Sequence, residues 1–344
     1  MSEVFETPRG NVTISAYEPG DEAGILELFN SVFGIGRPIE VWNWEYRDCP
    51  EGIHCFLGRL DDGQIVSQFC SIPSRVRIGS DEYLFGQIVD SMVHPDFRGS
   101  LKKKGLFAST VQTYVDHLGR ADKELIMMGL PNPQAFRVGK KLCGYVPMTK
   151  IYVHTKAVEP DTTLPMPPID VSFRMNEFRV QVVGRFGDDV RELWERVAPH
   201  HAVATVRSAK HLNWRFPDSP QWDYVLIEAR GAEDNALHGY TVLRQKWLDQ
   251  PDLMIADWFI DPEVPGVANA LLANAEHLAA KAGMTAVKCL LNPMCEESRF
   301  FEDQGYDLTP TPFRMVSRTY DESIVTVPWL NRHWYYTMGD FDVV

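Results

Sequence analysis

Chemistry-bearing residues concentrate in one stretch of this chain: His94-Pro95-Asp96-Phe97-Arg98-Gly99, followed by Lys104-Gly105-Leu106-Phe107. A glycine turn that opens a helix aims unsatisfied backbone N–H groups and the positive end of the helix dipole at one point, which suits a phosphate. Arg98, Lys102, Lys103 and Lys104 add positive charge beside that turn. The chain as a whole carries a formal charge of −13, so this basic cluster stands out against an acidic background and fits a small polyanionic ligand.

The same acidic excess argues against nucleic acid and anionic membranes as partners, because binding to either rests on Lys and Arg neutralising phosphates. A cationic amine would instead be attracted. The six cysteines are scattered without a C-x-x-C pair, and the adjacent His200 and His201 would point about 100° apart on a helix, so free thiols and no metal are expected. No stretch reaches the ~18 consecutive apolar residues of a membrane span, and the start MSEVFETPRG lacks a signal-peptide pattern, so the expected location is the cytoplasm.

The elements that must position the cluster are visible in the periodicity. Strands are expected over 11–17, 54–60, 65–78 and 84–93, with Asp61-Asp62-Gly63 as a hairpin turn. Helices are expected over 20–33, from Gly105 onward, where Leu106, Val111, Tyr114 and Leu118 recur at helical spacing, and over 133–141. Strands over 125–128 and 146–153 complete an α/β mixed sheet with helices on its faces.

The chain also matches itself. Asn43-Trp44 aligns with Asn213-Trp214 (213 − 43 = 170), Ile88 through Pro95 with Ile255 through Pro262 (255 − 88 = 167), and Asn132-Pro133 with Asn292-Pro293 (292 − 132 = 160). The proline-rich run 159–168 separates the copies, giving expected domains over 10–157 and 171–344.

The strand–loop–helix stretch around Arg98 and Gly105 resembles the signature of the GNAT superfamily of N-acyltransferases, with about four extra residues, Ser100 to Lys103, inserted. The arrangement in tandem resembles bacterial two-domain GNAT proteins, nucleotide-sugar N-acyltransferases among them. The resemblance implies acetyl-CoA or another acyl-CoA as co-substrate, with Arg98, Gly99, Lys104, Gly105, Leu106 and Phe107 at its phosphates. It implies Asn132 at the pantetheine arm and Met92 and Val93 beside the thioester. It also implies Asp90 as the base that takes a proton from the attacking amine, although Asp257 at the matching place in the second copy leaves a structural role for Asp90 open. The tyrosine that relatives often place four residues before the glycine of Gly144-Tyr145 is Lys140 here, so no proton donor is assigned.

The second copy continues Glu263-Val264-Pro265-Gly266 where the first has its cations, and is shorter there, so it is expected to be a degenerate copy without an acyl-CoA site. The aromatic tail from Trp329 to Phe341 is expected to dock, with Trp334 and Asp340 as candidate acceptor contacts. The function expected is transfer of an acyl group to the amine of a small molecule, an amino-sugar nucleotide being one candidate. The alternatives are a non-catalytic acyl-CoA sensor and a tRNA-dependent aminoacyl ligase.

Overall fold

The structure, a computed structural model, describes residues 3–98, 105–161, 163, 173–175, 178–247 and 250–342. Gly99, Lys104 and the other lysines of the loop lie outside the described residues, as does most of the expected linker. The elements in chain order begin with β1 (Glu3–Thr7), β2 (Gly10–Ala16), α1 (Glu22–Phe33), α2 (Ile39–Trp42), β3 (His54–Leu60), β4 (Ile65–Ile78), β5 (Asp81–Val93), α3 (Leu106–Leu118), β6 (Ile126–Gly129), α4 (Pro133–Leu142) and β7 (Val146–Ala157). They continue with β8 (Phe173–Met175), β9 (Phe178–Val183), α5 (Val190–Val197), β10 (Val203–Thr205), α6 (Ala209–Arg215), β11 (Tyr224–Gly231), β12 (Leu237–Trp247) and β13 (Gln250–Ile260). The last are α7 (Val267–Lys281), β14 (Ala286–Leu291), α8 (Glu296–Asp303), β15 (Asp307–Thr319), α9 (Val327–His333) and β16 (Trp334–Tyr335). No described helix is long and apolar enough to cross a membrane.

The chain divides into two compact units: the first is Met1–Val76, Glu82–Thr149 and Phe313–Trp329, the second Arg77–Asp81, Lys150–Pro312 and Leu330–Val344. In the first unit the strand order is β1-β2-β3-β4-β5-β6, with residues 316–319 of β15 beside β6. The β3–β4 hairpin turns at Gly63, whose φ of 89° is the left-handed conformation that glycine adopts at no steric cost. The pair β5/β6 is parallel, from Phe85 opposite Ile126 to Gln87 opposite Met128, and α3 makes the crossover that a parallel pair needs. Phe56, Phe69, Tyr114 and Met127 bury the face between the sheet and α3. On the opposite face, α1 buries Ile25, Leu28 and Phe29 and ends at Gly34, φ 71°.

The second unit repeats the plan. Antiparallel β9, β11, β12 and β13 lead to a parallel β13/β14 pair, from Asp252 opposite Ala286 to Ile255 opposite Cys289, with α7 as crossover. Residues 152–157 of β7 lie beside β14. The outermost strands are thus exchanged. The strand that follows α4 pairs in the second unit, and the strand that follows α8 pairs in the first. The sequence expectation assigned residues 150–157 to the first domain and 313–329 to the second, and the contacts group them the other way.

Candidate active site

In the first unit, β5 and β6 stop pairing after Gln87 and Met128, and the cleft between their ends is bordered by the continuing strand from Ile88 to Val93. Asp90 sits there with φ 43°, a conformation uncommon for a non-glycine residue and one that persists where the surroundings enforce it. Three groups do so. Arg37 grips the carboxylate with both guanidinium nitrogens, Nη2 to Oδ1 at 3.2 Å and Nη1 to Oδ2. The Tyr46 hydroxyl donates to Oδ2 at 2.5 Å, and Gln68 Nε2 donates to the Asp90 carbonyl at 3.1 Å.

Arg37 also lies 3.1 Å from Glu45 and stacks over the Phe29 ring at 4.1 Å. Burial alone would weaken its charge, but Glu45, Tyr46 and Asp90 hold its pKa above the ordinary value. Burial and the Asp90 charge push the Tyr46 phenol well up, so it stays a neutral donor. The arrangement is a buried cluster with one guanidinium and two carboxylates. Arg37 and Tyr46 were not found by sequence reasoning, yet a signal existed: Arg37 stands 170 residues before Arg207 (207 − 37 = 170), the offset that aligns the tryptophans.

The remaining expected residues fall around the same strand ends. Met92 is buried and Val93 half-buried near the end of β5. Arg98 Nε donates to the Val93 carbonyl at 3.0 Å, which ties its side chain back to β5. Gly105 is the residue before α3, and the first helical bond of that turn runs from Ser109 N to Gly105 O, so the N–H groups of Leu106, Phe107 and Ala108 have no partner within the helix. The Leu106 side chain is core, packed with Val12, Ile14 and Val66, and Phe107 meets Phe69 edge-on at 5.9 Å. Any contact of these two with a phosphate is therefore through the backbone. Asn132 caps α4 through Oδ1, accepting from Gln134 N and Ala135 N, which leaves its Nδ2 to donate elsewhere. Lys140 is exposed on α4.

The second unit carries the same network in a different state. Arg207 Nη2 lies 3.1 Å from Asp257 Oδ1, the Tyr240 hydroxyl donates to Asp257 Oδ2 at 2.8 Å, and Thr241 Oγ1 donates to the Asp257 carbonyl at 3.0 Å. Asp257 is not among the described non-glycine residues with positive φ. Here the tail enters the gap between β13 and β14. Thr337 Oγ1 donates to Asp257 at 2.8 Å, Asp340 accepts from Arg207 at 2.8 Å, and Arg215 donates to the Gly339 and Phe341 carbonyls. Asn292, aligned with Asn132, donates through Nδ2 to the Trp334 carbonyl at 2.8 Å, and the Tyr335 hydroxyl donates to the Trp258 carbonyl. Trp334 and Asp340, expected to touch an acceptor, are interior residues of the second unit, 1% exposed in the case of Trp334. Their polar and aromatic character is consumed by packing within the chain. Burial alone would raise the Asp340 carboxyl, and Arg207 holds it below the ordinary range.

Residues 13–132 match the Acetyltransferase (GNAT) domain family. Similar solved structures include GCN5-related N-acetyltransferases from Kribbella flavida (TM-score 0.60, 16% identity, 90% of this chain and 71% of that one) and Anabaena variabilis (0.60, 14%, 90% and 73%). N-myristoyltransferase of Saccharomyces cerevisiae with bound myristoyl-CoA is also similar (0.54, 11%, 92% and 83%). No curated protein matches the sequence. The fold is thus the GNAT fold, and the acetyltransferase domain match falls on the segment that contains Asp90 and the start of α3.

Proposed function

We propose that the first unit transfers an acyl group from acyl-CoA to the primary amine of a small molecule, and that the second unit is a degenerate copy that binds no acyl-CoA. The observation that carries this reading is a strained carboxylate, Asp90, at the cleft between two parting parallel strands, in the same unit as a helix start whose first N–H groups have no partner within the helix. Those N–H groups and Arg98 suit the pyrophosphate, with Gly99 and Lys104 of the same loop adding to them, and Asn132 Nδ2 suits a pantetheine carbonyl. The backbone beside Met92 and Val93 would polarise the thioester carbonyl. The neutral amine attacks that carbon, a C–N bond replaces the C–S bond, Asp90 takes the surplus proton directly or through water, and coenzyme A leaves as the thiolate, which becomes the thiol by taking up that proton from Asp90 or one from solvent. An amino-sugar nucleotide is one acceptor of this class.

The missing tyrosine four residues before Gly144 favours a second reading, an acyl-CoA sensor without turnover. Calorimetry with acetyl-CoA should give one site per chain, and a panel of primary amines should release free thiol. Two equivalent sites would overturn the degenerate second unit, and tight binding without thiol release from any amine would favour the sensor.

A further inference from the structure

The polar cluster around Asp90 contains a buried amide oxygen that the described residues do not satisfy. Gln68 is 1% exposed, and its Oε1 has no hydrogen-bond partner. The amide orientation is fixed, because Nε2 donates to the Asp90 carbonyl at 3.1 Å, and a carbonyl can only accept. A buried acceptor left unmade is costly, and native proteins rarely keep one without a use. The donors of the cluster bond elsewhere: Arg37 to Asp90 and Glu45, and Tyr46 to Asp90.

The second unit supplies an internal control. At the same point in its network stands Thr241, a smaller group that makes the equivalent bond to the Asp257 carbonyl at 3.0 Å and carries no amide oxygen. Charge differs in the same sense. The second unit sets Arg207 against Asp257 and Asp340 and Arg215 on the Gly339 and Phe341 carbonyls, whereas the first sets Arg37 against Asp90 and Glu45. Position 215 aligns with 45 at the offset of 170, so an arginine in the closed copy corresponds to a glutamate in the open one. The first unit therefore has an unmet acceptor beside one guanidinium and two carboxylates, and a cationic N–H donor suits both.

We propose that Gln68 is a recognition residue for the acceptor, its Oε1 taking a hydrogen bond from the ammonium or amine N–H while Glu45 and Asp90 balance the charge. This rests on the acyl-transfer reading of the first unit and narrows it to acceptors that arrive as protonated amines. Phe33, Ile35 and Ile39, on the segment that delivers Arg37, are exposed large hydrophobic residues, so benzylamine is a suitable probe.

Gln68→Thr copies the second unit: it keeps a donor for the Asp90 carbonyl and removes the amide oxygen. With acetyl-CoA as donor, the variant should hold its melting temperature and acetyl-CoA affinity and raise the KM for benzylamine about 10- to 100-fold, the loss of one hydrogen bond to a charged group. A wild-type KM would overturn the proposal. Should the variant not fold, crystals of the wild-type protein soaked with benzylamine decide the matter, and equal soaks with benzyl alcohol serve as the uncharged control. A nitrogen within hydrogen-bond distance of Gln68 Oε1, with no alcohol there, supports the proposal. A nitrogen elsewhere, or equal occupancy by the alcohol, overturns it. Absence of thiol release from the wild type would count against acyl transfer itself, while the soak still reads the role of Gln68.

Discussion

Asp90 and Asp257 occupy matching places in the two units, and their differences offer a test of the proposed catalytic role of Asp90. Each accepts from an arginine and a tyrosine, and each has its carbonyl held by a side chain from the neighbouring strand. Only Asp90 pairs this with a positive φ. If Asp90 is the base, Asp90→Asn should lower the acyl-transfer rate by ~10²–10⁴ with acyl-CoA affinity nearly intact. Asp257→Asn should lower the melting temperature without touching turnover in the folded fraction. Equal destabilisation of both variants with normal turnover would remove Asp90 from the chemistry. Arg37 and Tyr46 escaped the sequence because they lie 53 and 44 residues from Asp90, and no local spacing links a helix–helix connection to a strand. The helix starts at Gly105 and Asn132 were legible because a helix start leaves its mark within four residues.

At the scale of elements, the helices and most strands follow directly from periodicity and turn glycines. The partner of each outer strand does not. β7 and β15 follow similar helices and present similar alternation, and a strand's own sequence specifies which face it buries more than which sheet it joins. The tail has a comparable status: its aromatic content predicts docking, but only the geometry shows that Trp334 to Phe341 fill the gap where β13 and β14 part. Arg207 holds that plug at Asp257 and Asp340, all three almost fully buried. Replacing Arg207 by Met should strand two carboxylates and destabilise the second unit by ~3–5 kcal/mol. Thermal unfolding measures the loss, and a stability equal to wild type would show that the tail is held by packing alone. Acetyl-CoA stoichiometry in the folded fraction should stay at one.

For the molecule as a whole, the second unit carries an acid sensitivity of its own. Burial, then the charge of Arg207, lowers the pKa of His201 to about 3 and of His211 to about 4. Both are neutral when folded, so the 3.5 Å approach of His201 to Glu297, whose carboxyl burial pushes up, is no ion pair at neutral pH. The unfolded chain takes up these protons near the ordinary value of 6.5, so it binds more protons than the folded chain below that point. Stability is complete above about pH 6.5 and falls on acidification toward the folded values, by about 2 kcal/mol per histidine at pH 5. Urea unfolding at pH 8 and pH 5 should show this fall, and His201→Phe with His211→Gln should remove most of it; an unchanged pH slope would exclude both histidines. The exchanged outer strand has a further consequence, for biosynthesis. Residue 319 leaves the ribosome 170 residues after residue 149 (319 − 149 = 170), a delay of roughly 10–30 s at ordinary elongation rates. Throughout that interval the nascent first unit shows the open edge of β6 to its surroundings, an invitation to pair with strangers. Only the last strand of the first unit closes that edge.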